Sequence, residues 1–581
     1  MLTQNKPGVA GNRASEGTPK ALSAIGHERI VFIDKSNYME NSNFLSGIAF
    51  TRNEIIVGTE GLGSFLLRQK ERFNVTDFED GRFFAFVDVG DHVKMFSDPM
   101  GQDILFYYSQ KMISVDGAST LQWMVSNSFL ELVRKLRADR RALHLYLPPL
   151  AGHFIANGTA LGAQLISNNT PISEIKVLPI GCEIRISKAD ASLSVVRHKS
   201  GLWLTQPDSG SYRDMIADYV QLTCARIKTL IDSDKFDIRC DLSGGHDSRA
   251  IFAMARLAGH DFHKRPALSN RRRTEDLKSA RLVAAAFNLK LETSWDVEDG
   301  ATDSDLYEMW KKGSLGVYLP ISASGAALNT SKLRLHGGNF LSKEFGEHSP
   351  SYLLESLSRW YADTELLGMV KNEIRIGFSQ IDVDIEHPFA MHNHYINFRG
   401  RIHYGRNWTA FSRAPLFTPL ISQSLAKAAF KLSTHEYNRL KLSLDLLLAL
   451  DNLLGVIPFD LPEKSFDMDT IAASPFWGRP LDVKADSLAD HTLFAGATVR
   501  PQALVDGEHE PRRTGSWNSL RELLLKDFSK YETSAIAVGI FDDAYVARAR
   551  AEIANGKSPS RDFRRVSHMV SAGILNELVC S

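Results

Sequence analysis

The stretch Asp241 to Ile251, DLSGGHDSRAI, places two adjacent glycines, a histidine, a carboxylate and two hydroxyls between an apolar run, KFDIRC, and a helical pattern, AIFAMARLA. Glycines between a strand and a helix permit a tight turn and close ligand approach, and the first turn of the new helix presents unpaired N–H groups to an anion. Ser243 and Ser248 add hydroxyl donors, and Asp247 adds a carboxylate suited to Mg²⁺ beside a polyphosphate. The lysine of a GxxxxGK[ST] loop is missing, so the turn is not of that type. Residue types alone leave two readings: a phosphate cradle, or a Gly-Gly turn that joins strand to helix with no ligand there.

The surrounding elements must position that turn. From Glu28 to about Ser200, short β-type runs (RIVFI, EIIVG, RFFAFVDV, HVKMFS, ILFYY, MISV, EIRIS, LSVVRH) predict an antiparallel β-rich domain, with one inserted helix over LQWMVSNSFLELVRKLRA. From about Ser211 the period changes. The helix YRDMIADYVQLTCARIKTLI, the strand and SGGHDS turn, the run DFHKRPAL, the helix TEDLKSARLVAAAFN and the strand LKLETSW follow in βαβ order. That order predicts a mostly parallel sheet, where ligands bind beyond the carboxyl ends of strands, and SGGHDS sits at such an end. LISQSLAKAAFKL, KLSLDLLLALDNLL, SLRELLLKDFSKYE and DAYVARARAEIA read as helices, and Val505 to Ser516 as an exposed loop. The expected organisation is α/β: a flexible tail over 1–27, a β-rich domain over 28–200 and a parallel-sheet domain with C-terminal helices over 205–581.

At 581 residues the chain exceeds one ordinary core, which agrees with more than one domain. Lys plus Arg and Asp plus Glu number 68 each, so no net charge points to nucleic acid or an anionic membrane. The four cysteines, Cys182, Cys224, Cys240 and Cys580, show neither metal spacing nor a disulfide framework, and a reducing, cytoplasmic setting is expected. The opening residues lack the apolar core of a signal peptide, and no stretch reaches the roughly 18 apolar residues of a spanning helix.

Several separate stretches, in order, resemble the asparagine synthetase family. DGRFFAFVDV, FSDPMGQDILFYY and VLPIGCEIRI are similar to its first-domain strands, and SGGHDS and RLHGGNF are similar to its two phosphate-facing loops. RAPLFTPLISQSLAKAAFKL resembles its helix after the second loop, and PEKSFD resembles the basic loop that closes over the nucleotide. The resemblance spans roughly residues 30 to 470. It implies an Ntn-hydrolase-like β-rich sandwich followed by a PP-loop, adenine nucleotide α-hydrolase-like parallel-sheet domain with C-terminal helices. Glutamine-hydrolysing members expose an N-terminal cysteine as nucleophile. This chain begins Met1-Leu2, and no cysteine precedes Cys182, so the first domain is expected to be a scaffold unless a long piece is missing or removed. In that respect the chain is similar to β-lactam synthetase, carbapenam synthetase and the lasso-peptide cyclases.

The implied reaction is ATP-dependent and AMP-forming. A substrate carboxylate is adenylated with loss of pyrophosphate, and an amine then takes the acyl group. By resemblance Leu242, Ser243, Gly244, Gly245, Asp247, Ser248, Gly337 and Gly338 hold ATP, and Asp247 and Asn339 hold Mg²⁺. Asn339 stands where relatives carry an aspartate, so metal binding is expected to be weaker unless Glu344 or Glu347 compensates. Arg249 is a candidate for pairing with phosphate, or else for a salt bridge within its helix. His336 is either the base that deprotonates the amine or a histidine that structures its loop. Lys464 is either the charge on the α-phosphate and developing oxyanion or a surface lysine. HPFAMHNHYINFRGRIHYGRNW, with Arg399, Arg401 and Arg406, either lines an acceptor pocket or packs as a helix with its arginines solvated. It tilts the choice among a small amino acid, a peptide and a uronic-acid sugar towards a hydrophilic carboxylated acceptor. The expected partners are a small-molecule or peptide carboxylate and amine, with a second copy of the chain or a biosynthetic partner protein, and no nucleic acid. The competing class is a non-catalytic scaffold or binding subunit. Another PP-loop chemistry, such as thiolation or argininosuccinate-type ligation, fits less well with the preceding scaffold domain.

Overall fold

A computed structural model describes residues 31–39, 43–69, 73–113, 119–155, 161, 164–199, 209–233, 235–270, 273–293, 303–319, 321, 332–337, 349–358, 364–405, 416–496, 517–555 and 563–580. The expected tail over 1–27 and the loop over 505–516 lie outside them. The protein is a mixed α/β structure.

The first region is built of strands β1 (Phe32–Asp34), β2 (Phe44–Phe50), β3 (Glu54–Val57), β4 (Asp80–Asp88), β5 (His92–Ser97), β6 (Phe106–Ile113), β7 (Ser119–Ser126), β8 (Ile175–Val177), β9 (Cys182–Ser187) and β10 (Leu193–Arg197). One sheet has the order β1-β7-β6-β8 and is antiparallel; the other runs β10-β9-β5-β4-β2-β3 with antiparallel neighbours. Phe44, Phe84, Phe86, Trp123, Val125 and Ile184 form a core shared by the two sheets. Helix α1 (Gly58–Gln69) covers the outer face of the second sheet through Leu62 and Phe65.

The helix expected over LQWMVSNSFLELVRKLRA is corrected. Its first third is β7, and helix α2 (Phe129–Ala138) starts only after Ser128, whose side chain accepts from Glu131 N. Both faces of β7 are buried, Trp123 and Val125 between the sheets and Met124 towards the helices, so the strand shows no alternation of polarity. The next helix is α3 (Leu147–Ile155).

The second region carries the parallel strands β11 (Asp237–Cys240), β12 (Ala267–Leu268), β13 (Leu291–Glu292), β14 (Lys332–Leu335) and β15 (Leu416–Phe417). The pairs β12–β13, β11–β14 and β14–β15 and a bridge from Asp241 to Leu268 give one parallel run, β13-β12-β11-β14-β15. The chain therefore moves outward from β11 in one direction and resumes on its other side at β14. Helices α4 (Tyr212–Asp232) and α5 (His246–Leu257) pack together, and α5 also packs on the helix Lys441–Leu450. Asp451 ends that helix and accepts from Leu453 N at 3.0 Å to start another, Asn452–Val456, so KLSLDLLLALDNLL is two helices and not one.

The two regions share cores. Ile48, Phe50, Ile55 and Val57 of the first join the cluster around α4, α5 and the parallel strands, with the Phe50 and Phe417 rings 4.6 Å apart. Strand β16 (Thr492–Ala495) returns from the second region to lie parallel to β3 at the edge of the larger antiparallel sheet.

Candidate functional site

Strands β11 and β14 end side by side, in the register Cys240 to Leu335. This is where the strand order reverses, and in open parallel sheets the crevice at such a point receives ligands. The turn after β11 leads directly into α5, whose N-cap is Gly245 with no side-chain cap. The turn after β14 comes so close that a Cβ on Gly337 would lie 2.7 Å from Asp247 Cβ. The structure thus brings together the two glycine loops singled out in the sequence.

The loop is internally bonded. Ser248 Oγ accepts from Ser243 N and meets Ser243 Oγ, both at 2.9 Å, and Ser243 Oγ accepts from Gly245 N at 3.3 Å. Gly244 N donates to Asp276 Oδ1 at 3.3 Å. Leu242 is buried, and its N–H continues the sheet to Leu268 O at 2.9 Å. The two central glycines differ. A Cβ on Gly244 would lie 2.2 Å from Asp460 Cβ, so glycine is required there for packing. Gly245 has φ −89° and ψ 166°, open to any residue, and a Cβ there would meet nothing closer than Ser243 Oγ at 3.8 Å. Packing does not demand glycine at 245; glycine suits an N-cap, and the open face also suits an approaching ligand.

Arg249, a candidate for phosphate, is turned away from that role. It is fully buried, donates to Leu454 O (3.0 Å), Ile457 O (2.6 Å), Pro458 O (2.5 Å) and Ser279 Oγ (2.7 Å), and lies 3.8 Å over the Phe459 ring. Neither expected role, phosphate partner or helix salt bridge, is what it does. It fixes residues 454–459 against α5.

Lys464 reaches the site by that route. His246, a loop residue given no role from sequence, packs on Phe459 and Phe466 at 4.3 and 5.2 Å, and its Nε2 meets Lys464 O at 2.9 Å. Burial pushes the His246 pKa down to about 4, so the ring is neutral at pH 7. Lys464 Nζ binds both Asp460 oxygens, at 2.9 and 2.7 Å. Asp460 and Asp276 were also missed. The first lies four residues before Lys464, an i,i+4 acid–base spacing legible in PFDLPEK; the second carries no signal in the sequence.

His336 follows β14, and its N–H donates to Phe417 O at 2.9 Å. The ring keeps some exposure, yet desolvation, with Arg334 nearby, pushes its pKa down to about 4. It is neutral at pH 7, as a base must be, but so weakly basic that it would hold an ammonium proton poorly. Gly338, Asn339, Glu344, Glu347 and Arg406 lie outside the described residues. The segment after Phe389 is a short helix, Ala390–His394, continuing as a π-helix, Tyr395–Gly405. Arg401 is buried and donates to Gly101 O (3.1 Å) and Leu178 O (3.0 Å), so it is neither solvated nor in a pocket; it ties the two regions together. Arg399 is partly exposed, with a buried Nε that has no hydrogen-bond partner among the described residues.

Among the described residues no group of three or more His, Cys, Asp or Glu is arranged to hold a metal, and no helix is long and apolar enough to cross a membrane. Cys182, Cys224 and Cys240 are buried, and burial raises each thiol pKa, to about 12 for Cys224. Compared with known protein families and with curated proteins, the chain matches none.

Proposed function

We propose that the chain is an ATP-dependent, AMP-forming carbon–nitrogen ligase of the asparagine synthetase type, with an Ntn-hydrolase-like scaffold and a PP-loop domain. The observation that carries this reading is the open, uncapped start of α5 at Gly245, in the crevice where the strand order reverses. Ser243 and Ser248 supply hydroxyls to the leaving pyrophosphate, and the first turn of α5 supplies N–H groups. Asp247, between the two loops, is the residue that would hold Mg²⁺, which supplies charge neutralisation between the anions that must meet. Lys464 supplies positive charge at the α-phosphate. A carboxylate is adenylated, and an amine brought by the substrate takes the acyl group. The buried, high-pKa thiols of the first and second regions are unsuited to releasing ammonia from glutamine.

A second reading, a non-catalytic binding subunit, draws on one observation: Ser243 N, Gly244 N and Gly245 N all donate to side-chain oxygens of the protein. Calorimetric titration with ATP and Mg²⁺ separates the two. The ligase reading expects binding, about tenfold or more weaker in Asp247→Ala at an unchanged unfolding midpoint. It also expects AMP and pyrophosphate when the carboxylate substrate is supplied. ADP and phosphate as products would reject it, as would equal ATP binding by Asp247→Ala.

A further inference from the structure

Residues 457–466 lie on the cradle. Asp460 N donates to Gly244 O at 3.3 Å, and the Asp460 side chain covers the Gly244 face, its Oδ1 3.0 Å from where a Cβ would stand. The same carboxylate holds the Lys464 ammonium through both oxygens, and it is the more enclosed partner, with 11% of its side chain exposed against 34% for the lysine. Arg249 fixes the start of this segment from below, and His246 and Phe466 fix its end. The lysine is therefore delivered to the loop with its charge already matched. A carboxylate touching the loop also repels any anion that enters.

We propose that Asp460 is a latch that stands in for a phosphate group: it neutralises Lys464 and occupies the Gly244 edge of the cradle until a phosphate displaces it. Lys464 then exchanges a carboxylate partner for a phosphate one. This regulation rests on the cradle reading above. It predicts that the resting site is weak towards anions by construction, and that deleting the carboxylate strengthens binding, opposite to the usual loss on mutating a site residue.

The test is the affinity of the full chain for inorganic pyrophosphate, and separately for ATP with Mg²⁺, in wild type, Asp460→Asn, Lys464→Met and the double variant. Asparagine keeps the size of Asp460 and its backbone bond to Gly244. Asp460→Ser serves if the first variant does not fold. Asp460→Asn should bind pyrophosphate at least about fivefold tighter, the effect of one unit charge near 4 Å even at the dielectric of water. The gain should be larger with Lys464 present than in the Lys464→Met background, where only direct repulsion by the carboxylate is relieved. Wild-type binding with equal or weaker binding by Asp460→Asn overturns the latch and leaves the cradle, making Asp460 a positioning residue for the lysine. No binding of either ligand by wild type or Asp460→Asn overturns both. A gain of equal size with and without Lys464 overturns the exchange of partners.

Discussion

At the scale of residues, the two glycines that flank Asp247 give opposite expectations. Gly337→Ala drives a Cβ to within 2.7 Å of Asp247 Cβ, an atom next to backbone that cannot swing aside, and should cost about 1–3 kcal/mol in urea unfolding. Gly245→Ala meets open space at an ordinary φ; the gain through the unfolded chain is offset by alanine's poorer fit at an N-cap, so stability should change by less than about 1 kcal/mol. The same variant should weaken ATP binding about tenfold or more, because the methyl fills the face an anion approaches. Full ATP affinity in Gly245→Ala would show that this open face is not where phosphate binds. Arg249 shows the limit of reading roles from residue type. An arginine beside a phosphate-type loop looks like an anion partner, but its acceptors are carbonyls more than 200 positions away, at Leu454, Ile457 and Pro458, and nothing in the sequence names them.

At the scale of elements, the strand–turn–helix unit around SGGHDS was legible because its signals are local: apolar strand, glycines, then helical spacing. The β7–α2 boundary was not, because burial on both faces of β7 erased the alternation that marks a strand. Strand β2, FLSGIAF, was hidden by its internal Ser-Gly, and β16 by being four residues long and paired far from its neighbours in sequence. What fixes the β7–α2 boundary is Ser128. It is fully buried, its Oγ accepts from Glu131 N at 3.4 Å, and its hydroxyl donates to Lys312 O at 2.7 Å, joining α2 to the end of the helix Asp303–Ser314. Ser128→Ala removes a cap and strands a carbonyl, and should lower stability by about 1–3 kcal/mol in urea unfolding. An unchanged midpoint would mean that the boundary is held by packing alone.

At the scale of the whole molecule, the shared cores and the returning strand β16 lead to the expectation that the two regions unfold together, so charge buried in either counts against both. The burden is carried by histidines. His568, in the C-terminal helix Arg564–Cys580, meets Leu150 O of α3 through Nε2 (2.9 Å) and Tyr545 OH through Nδ1 (3.0 Å), a pattern that suits a neutral ring donating from Nε2 and accepting at Nδ1. His153, also on α3, is fully buried with its ring 5.8 Å from that of His568 and no hydrogen-bond partner for either nitrogen among the described residues. Burial pushes His568 down to about 3, His394 to about 4 and His392 to about 3, and His153 well below its ordinary 6.5. Each is neutral when folded and takes a proton when unfolded below pH 6.5, so each stabilises the fold above that pH and loses its contribution as pH falls from 6.5 towards 4. The loss is about 1.4 kcal/mol per histidine per pH unit. Asp98 works the other way: burial raises its carboxyl to about 7, so it gains as pH falls through the same window, but it is one group against several. Chemical unfolding should therefore show stability falling steeply between pH 7 and 5.5. The slope should ease by about 0.8 kcal/mol per pH unit averaged over that range in His153→Leu, approaching about 1.4 at its acid end, since leucine keeps the space filled without the titrating ring. A flat profile, or a slope unchanged by that substitution, would mean that His153 is not buried neutral between α3 and the C-terminal helix, and that the two regions are not joined there as described.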